Sequence, residues 1–198
     1  EWATGIYQNE YVKQDGVWKI RRLHLYPTMI TPYEDGWGKT SLQRSRFDAA
    51  ARPDVAPAAP SSLYEHAFIT PYHYAHPVRG VSKAATVTKP VASDPRATLA
   101  ELDRRLGLLE DRAMVEKVQR VYGYYLATLL WDELAALFAE DGTIEIAMRG
   151  IYVGRPAVRR NLNLYGQAGL DDGVLHNHMQ FQPVIHVSPD GKTAHLRS

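Results

Sequence analysis

The chain contains no cysteine. Disulfides, zinc–thiolate sites and thiol nucleophiles are therefore excluded, while either redox compartment tolerates the composition. It also lacks an excess of charge of one sign: 23 basic and 22 acidic residues leave a net charge of +1. A nucleic-acid footprint needs a marked basic surplus on one face, so no nucleic-acid partner is expected. No apolar run approaches the roughly 18 residues of a membrane span, so no membrane partner is expected either. No leader peptide is visible in a chain that opens on Glu1, and a cytoplasmic location is the expectation. What is present is an ordinary globular hydrophobic content of 45%, with 12 tyrosines and eight histidines. Such residues line pockets and also fill cores.

Three stretches differ in pattern. Residues 1–37 hold a β-hairpin. Ile6, Gln8, Glu10 and Val12 alternate with Tyr7, Asn9 and Tyr11, and Asp15-Gly16 supplies the positive φ angles of a tight turn. On the return strand Trp18, Ile20, Arg22, His24 and Tyr26 share one face, and Lys19, Arg21, Leu23 and Leu25 the other. Neither face is cleanly apolar, so the inward side is left open. The strand runs out into Pro27 and Pro32.

Residues 38–95 lose the pattern. The alanine–proline run 49–62 reads as an extended or disordered linker, and the polar stretch 81–94 as a second one. Between them, Phe68–Pro77 is rich in aromatics and prolines. It is expected to dock on the fold as an extended arm, not to join a sheet.

Residues 96–198 open on a long helix, with Asp94 as N-cap and Pro95 at its first position. Leu99, Leu102, Leu106, Leu109 and Ala113 recur at alternating spacings of three and four. They form either a seam for a partner helix or a cover for one end of the domain. A second helix starts at Trp131 and ends near Gly142. Thr143–Ala147 and Gly150–Val153 form a strand pair, and a third helix runs from Pro156 to about Tyr165. His176–Val187 and Lys192–Ser198 are further strands.

Helix, helix, strand pair, helix, then antiparallel strands is the order of the cone-shaped α+β fold of the nuclear-transport-factor-2-like superfamily. Tyr122-Gly123-Tyr124-Tyr125, Trp131-Asp132-Glu133-Leu134 and Phe138-Ala139-Glu140-Asp141-Gly142-Thr143 resemble the opening of a SnoaL-like domain. Gly150-Ile151-Tyr152-Val153-Gly154-Arg155, His176-Asn177-His178-Met179-Gln180 and Asp190-Gly191-Lys192-Thr193-Ala194 resemble its next steps. Tyr11–Ile20 resembles its closing hairpin. The resemblance covers most of 1–37 and 112–198, in out-of-frame order. That order implies the C-terminal hairpin of one SnoaL-like domain (1–37), a linker with an aromatic arm (38–95), and the N-terminal helices and first strands of another (96–198). A fragment of a tandem protein, a circular permutant, or halves exchanged between chains would each produce it.

SnoaL-like domains include polyketide cyclases, with relatives among dehydratases, steroid isomerases and epoxide hydrolases. The resemblance implies an apolar pocket with acid/base side chains and no cofactor. In the dehydratase branch two histidines and an aspartate act together. The matching positions are His178, His195 and, where the aspartate would stand, Ala127. An imidazole without a carboxylate loses its fixed tautomer and some basicity. Tyr122, Tyr125, Tyr7 and Asn9 are the expected substrate-binding residues. His178 has the alternative role of bonding backbone at a strand start, and His195 that of a solvent-facing strand residue. His73 and His76 have metal-like spacing but lack companions, so no metal site is expected. The implied function is a cofactor-independent lyase (dehydratase) or isomerase acting on a small aromatic or polycyclic apolar molecule. The alternative is a non-catalytic ligand-binding or oligomerisation module, with a homo-oligomer or a tandem domain as partner.

Overall fold

The computed structural model of the chain describes residues 1–36, 39, 51–57, 62–79, 94–146 and 149–198. Its elements are β1 (Trp2–Gln14), β2 (Val17–Thr31), α1 (Pro95–Ala127), α2 (Trp131–Ala136), β3 (Phe138–Ile146), β4 (Gly150–Val153), α3 (Arg155–Leu162) with a 3-10 turn (Asn163–Tyr165), β5 (Val184–Val187) and β6 (Thr193–Arg197). The strands form one open, mixed sheet in the order β4-β3-β2-β1-β6-β5. β2 and β3 run parallel, and the other neighbours are antiparallel. This is the α+β architecture that the resemblance implies. All six described strands pair within one sheet. The ends meet directly: Tyr7 N–H donates to Ser198 O at 2.9 Å.

The hairpin forms where Asp15 and Gly16 take φ of 51° and 77°, the two positive values that a tight primed turn demands. Its pairing is interrupted twice. Register shifts fall between Thr4 and Gly5, opposite Pro27, and between Glu10 and Tyr11, opposite Arg21. Proline cannot donate to a ladder, so β2 passes Pro27 only by a local irregularity. The second shift changes the phase of β2. Trp18 and Ile20 point into the core before it, and Leu23 after it. The single alternating face expected through Trp18, Ile20, Arg22, His24 and Tyr26 is therefore cut in two. A bulge inserts one residue, and one residue is half a strand period.

The core lies between the concave sheet face and the helices. Tyr11, Trp18, Ile20 and Leu23 of the hairpin meet Val115, Tyr122 and Leu126 of α1, Trp131 and Leu134 of α2, and Val158 and Leu162 of α3. The helix starts as expected, with Arg96 N–H donating to Asp94 Oδ1 at 2.9 Å. α1 reaches the body only with its C-terminal half, where burial begins at Asp111. Asp111 accepts from Trp18 Nε1 at 2.8 Å and from Lys13 Nζ at 2.6 Å, tying helix to hairpin.

Several boundaries differ from the sequence expectations. α2 ends at Ala136, because Phe138 already pairs with Ile20. β5 covers only Val184–Val187 instead of 176–187, since Val184 pairs with Arg197 and residues before it have no residue of β6 opposite them. The alanine–proline run is in part ordered. Val55 bridges Ile151, Tyr152 Oη donates to Ala51 O at 2.5 Å, and Arg160 pairs with Asp54 at 2.7 Å. The rest of 49–62, apart from 62, and 81–93 lie outside the described residues. The aromatic arm docks as an extended segment on the convex sheet face. Arg197 Nη1 donates to Thr70 O at 3.0 Å and its guanidinium lies 4.2 Å from the Tyr72 ring centre. Among the described residues, no helix is long and apolar enough to cross a membrane.

Asp111→Ala orphans the buried Trp18 N–H. Unfolding free energy is expected to fall by about 2 kcal/mol, read as a lower urea midpoint at unchanged m-value. An unchanged midpoint would show that the contact does not hold α1 to the hairpin.

Candidate functional site

The concave face gathers polar side chains from four places distant in sequence. Alternation along β1 turns Tyr7, Asn9 and Tyr11 inward. α1 contributes Gln119 and Tyr122, one turn apart on its buried face. The segment before β5 crosses α1 and turns His176, His178 and Gln180 inward, leaving Leu175, Asn177, Met179 and Phe181 exposed. The crossing is close because residue 123 is glycine. A Cβ there would lie 3.1 Å from His178 O and 2.9 Å from Gln180 Cγ.

At the centre, Tyr7 Oη lies 2.5 Å from His178 Nε2 and 3.5 Å from Tyr122 Oη. The rings of Tyr7 and His178 meet edge to face at 5.8 Å. Burial pushes the His178 imidazole down to about 4, helped by the nearby His176 ring. The ring is therefore neutral near pH 7. Burial also pushes the Tyr7 and Tyr122 phenols above their ordinary value, so both stay protonated. Among the described residues no carboxylate bonds His178. His176 has a structural explanation: its Nδ1 meets Leu126 O at 3.0 Å, and because a carbonyl only accepts, Nδ1 carries the proton.

A second polar layer adjoins the first. Asn9 Nδ2 donates to Gln119 Oε1 at 2.9 Å, and His24 N–H donates to Asn9 Oδ1 at 3.1 Å. Tyr11 Oη donates to the same Gln119 oxygen, and Gln119 Nε2 donates to Gln180 Oε1. Ser198 Oγ approaches that oxygen at 3.4 Å. Gln180 lies close enough to the Tyr7 oxygen to ease its ionisation, yet its own Nε2 is buried without a geometrically complete hydrogen bond. A buried donor left unsatisfied costs about 1–3 kcal/mol, and an acceptor on a bound molecule would recover it.

Of the residues expected to form the site, Tyr7, Tyr122 and His178 converge. Asn9 sits beside them, with both ends of its amide bonded within the protein. Tyr125 packs against the apolar core. His195 lies on the opposite face of the sheet. Its neighbours Ala194 and Leu196 point into the core, while its ring stacks on His73 of the arm at 5.8 Å. The two imidazoles of the expected pair do not share a cavity, because alternation along β6 places position 195 outside. His186 joins His195 on that outer face, with Nδ1 3.0 Å from His73 Nε2. His73 and His76 do not act together: His76 Nδ1 accepts from the backbone N–H groups of Val78 and Arg79. No cluster of three or more histidine, aspartate or glutamate residues among the described ones has metal-binding geometry. Sequence reading passed over Gln119 and Gln180. A glutamine on the apolar stripe of a helix, at Gln119 between Val115 and Tyr122, was the available signal.

An open mixed sheet packed on helices is an α+β fold, consistent with the nuclear-transport-factor-2-like cone. Residues 108–198, just under half the chain, match the family model of the SnoaL-like domain. No curated protein matches the chain. The β1–β2 hairpin lies outside the matched stretch, yet occupies the middle of the sheet.

The His178 value sets a pH dependence. An unfolded histidine titrates near 6.5 and the folded one near 4. Between those values the unfolded chain binds more protons, so stability falls as pH drops from about 6.5 to about 4 and is flat above. The imidazole resonances of His178 in NMR are expected to titrate near pH 4. A midpoint at or above 6.5 would mean that the ring is not desolvated.

Proposed function

We propose that the concave cluster is the site of a cofactor-independent lyase or isomerase acting on a small apolar carbonyl compound, aromatic or polycyclic, with His178 as the only catalytic imidazole. The observation that supports this reading is the 2.5 Å contact between a neutral, half-buried His178 and the hydroxyl of Tyr7, itself 3.5 Å from Tyr122. A substrate carbonyl entering the cluster would accept from the phenols and from the unsatisfied Gln180 N–H. His178 Nε2, released from Tyr7, takes a proton from the carbon next to that carbonyl, and the electron pair moves onto oxygen as an enolate. In a dehydration the enolate collapses and expels the hydroxyl from the following carbon. That hydroxyl takes the proton from His178, so one C–H and one C–O bond break, one C=C bond forms and water leaves. In an isomerisation the same proton returns to a different carbon.

One observation favours a second reading, a non-catalytic binding domain. His178 has no carboxylate partner, and Ala127 stands where the dehydratase relatives carry aspartate. A ligand carbonyl would then be held by Tyr7, Tyr122 and Gln180 without turnover.

Dehydration of a β-hydroxy ketone fused to an aromatic ring, followed by absorbance of the conjugated product, separates the two readings. Loss of activity by about 10²- to 10⁴-fold is expected in His178→Ala, with a smaller loss in Tyr7→Phe. The rate should be flat near neutrality and fall only as pH approaches 4. Binding of the ketone without turnover, unaffected by His178→Ala, would sink the enzyme reading and leave the binding domain.

A further inference from the structure

We propose that α1 pairs in parallel with α1 of a second copy of this chain through the seam Leu99, Leu102, Leu106, Leu109 and Ala113. The first four side chains are 66%, 55%, 54% and 63% exposed. They do not serve the domain core. The buried face of α1 is Asp111, Val115, Gln119, Tyr122 and Leu126, and at 100° per residue the seam lies on nearly the opposite side. A second copy can dock there without disturbing the concave site. The projecting part of α1 also needs a partner on general grounds. A free helix of some 15 residues is marginal in water.

The occupant follows from the charges beside the seam. Written as heptads with Leu99, Leu106 and Ala113 at a and Leu102 and Leu109 at d, the e positions are Asp103 and Glu110, and the g positions Arg105 and Arg112. One flank is acidic and the other basic, so the helix is complementary to itself. In a parallel pair each g residue faces the e residue five positions on in the other helix. Arg105 then meets Glu110 of the second copy, twice by symmetry. In an antiparallel pair g faces g and e faces e, setting arginine against arginine and acid against acid. Arg105 bonds Glu101 of its own helix through Nε at 2.7 Å, which leaves its other N–H donors for the partner. The seam stops where the next core positions are Glu116 and Arg120, an ion pair within the helix. A seam this short gives reversible, weak dimers and not an obligate assembly.

The whole chain tests this by sedimentation equilibrium up to about 0.1 mM, an affinity range fitting a two-heptad seam. A monomer–dimer equilibrium is expected. Leu102→Glu and Leu109→Glu, both at exposed positions, should each weaken it at least about tenfold while leaving circular dichroism unchanged. Arg105→Glu alone should weaken it, and Arg105→Glu with Glu110→Arg should restore it. Because the chain has no cysteine, Leu99→Cys introduces a single thiol. Mild oxidation should link two copies at that position in the parallel pair, whereas an antiparallel pair sets residue 99 opposite 109, away from its own copy. A monomer throughout the range, or a dimer indifferent to Leu102→Glu, overturns the proposal. Tightening by Arg105→Glu with no link through Leu99→Cys overturns the parallel arrangement.

Discussion

The sheet depends on its two middle strands. Without β1 and β2, the stretch that matches the SnoaL-like domain would hold two separate two-stranded units, β3–β4 and β5–β6, with no hydrogen bond between them. Two-stranded units are marginal in water alone. The hairpin joins them by pairing on both edges, parallel to β3 and antiparallel to β6. It also brings Trp18, Ile20 and Leu23 to a core whose other side is helix. The concave cluster inherits this dependence: Tyr7 comes from the hairpin, and Tyr122 and His178 from the matched stretch.

The polar layer around Gln119 gives that junction its specificity. Its members come from β1, α1, the segment before β5 and Ser198, so its hydrogen bonds form only when all four are in place. A partly satisfied buried network costs more than an apolar core, because each orphaned group keeps its desolvation penalty. The same layer fixes what Tyr7 and His178 can do. Gln119 holds Gln180 by one end, leaving the other end of that amide free beside the phenols.

Local chemistry was legible in the sequence where one residue type dictates one conformation. The Asp15-Gly16 turn, the Asp94 cap and the glycine before α3 all appear where expected. The inward face of β2 was not legible. A bulge at Arg21 shifts the alternation by one, and nothing in the residues around it announces an insertion. The misplacement of His195 has a related origin. A strand shows two faces, and the sequence of β6 marks Ala194 and Leu196 as apolar without showing which elements would cover the other side. The shortened β5 was invisible too, because its length is set by the register of its partner and not by its own pattern. His178 was recognised, yet its partner is a tyrosine 171 residues away, a pairing that no local spacing encodes.

The pairing of Gln8 with Arg197 has a consequence for how the molecule comes into being. A ribosome delivers the hairpin long before the strand that flanks it. Until β6 emerges, the free edge of β1 and the inward aromatics of the hairpin are exposed, and a two-stranded ribbon cannot shield them. Closing a loop of this length costs entropy that grows only logarithmically with length, but the contact has to be found late, and non-local pairing slows the search. The concave cluster therefore forms later than the hairpin that supplies Tyr7. Until the segment before β5 is in place, Tyr7, Tyr122 and His178 are separate side chains.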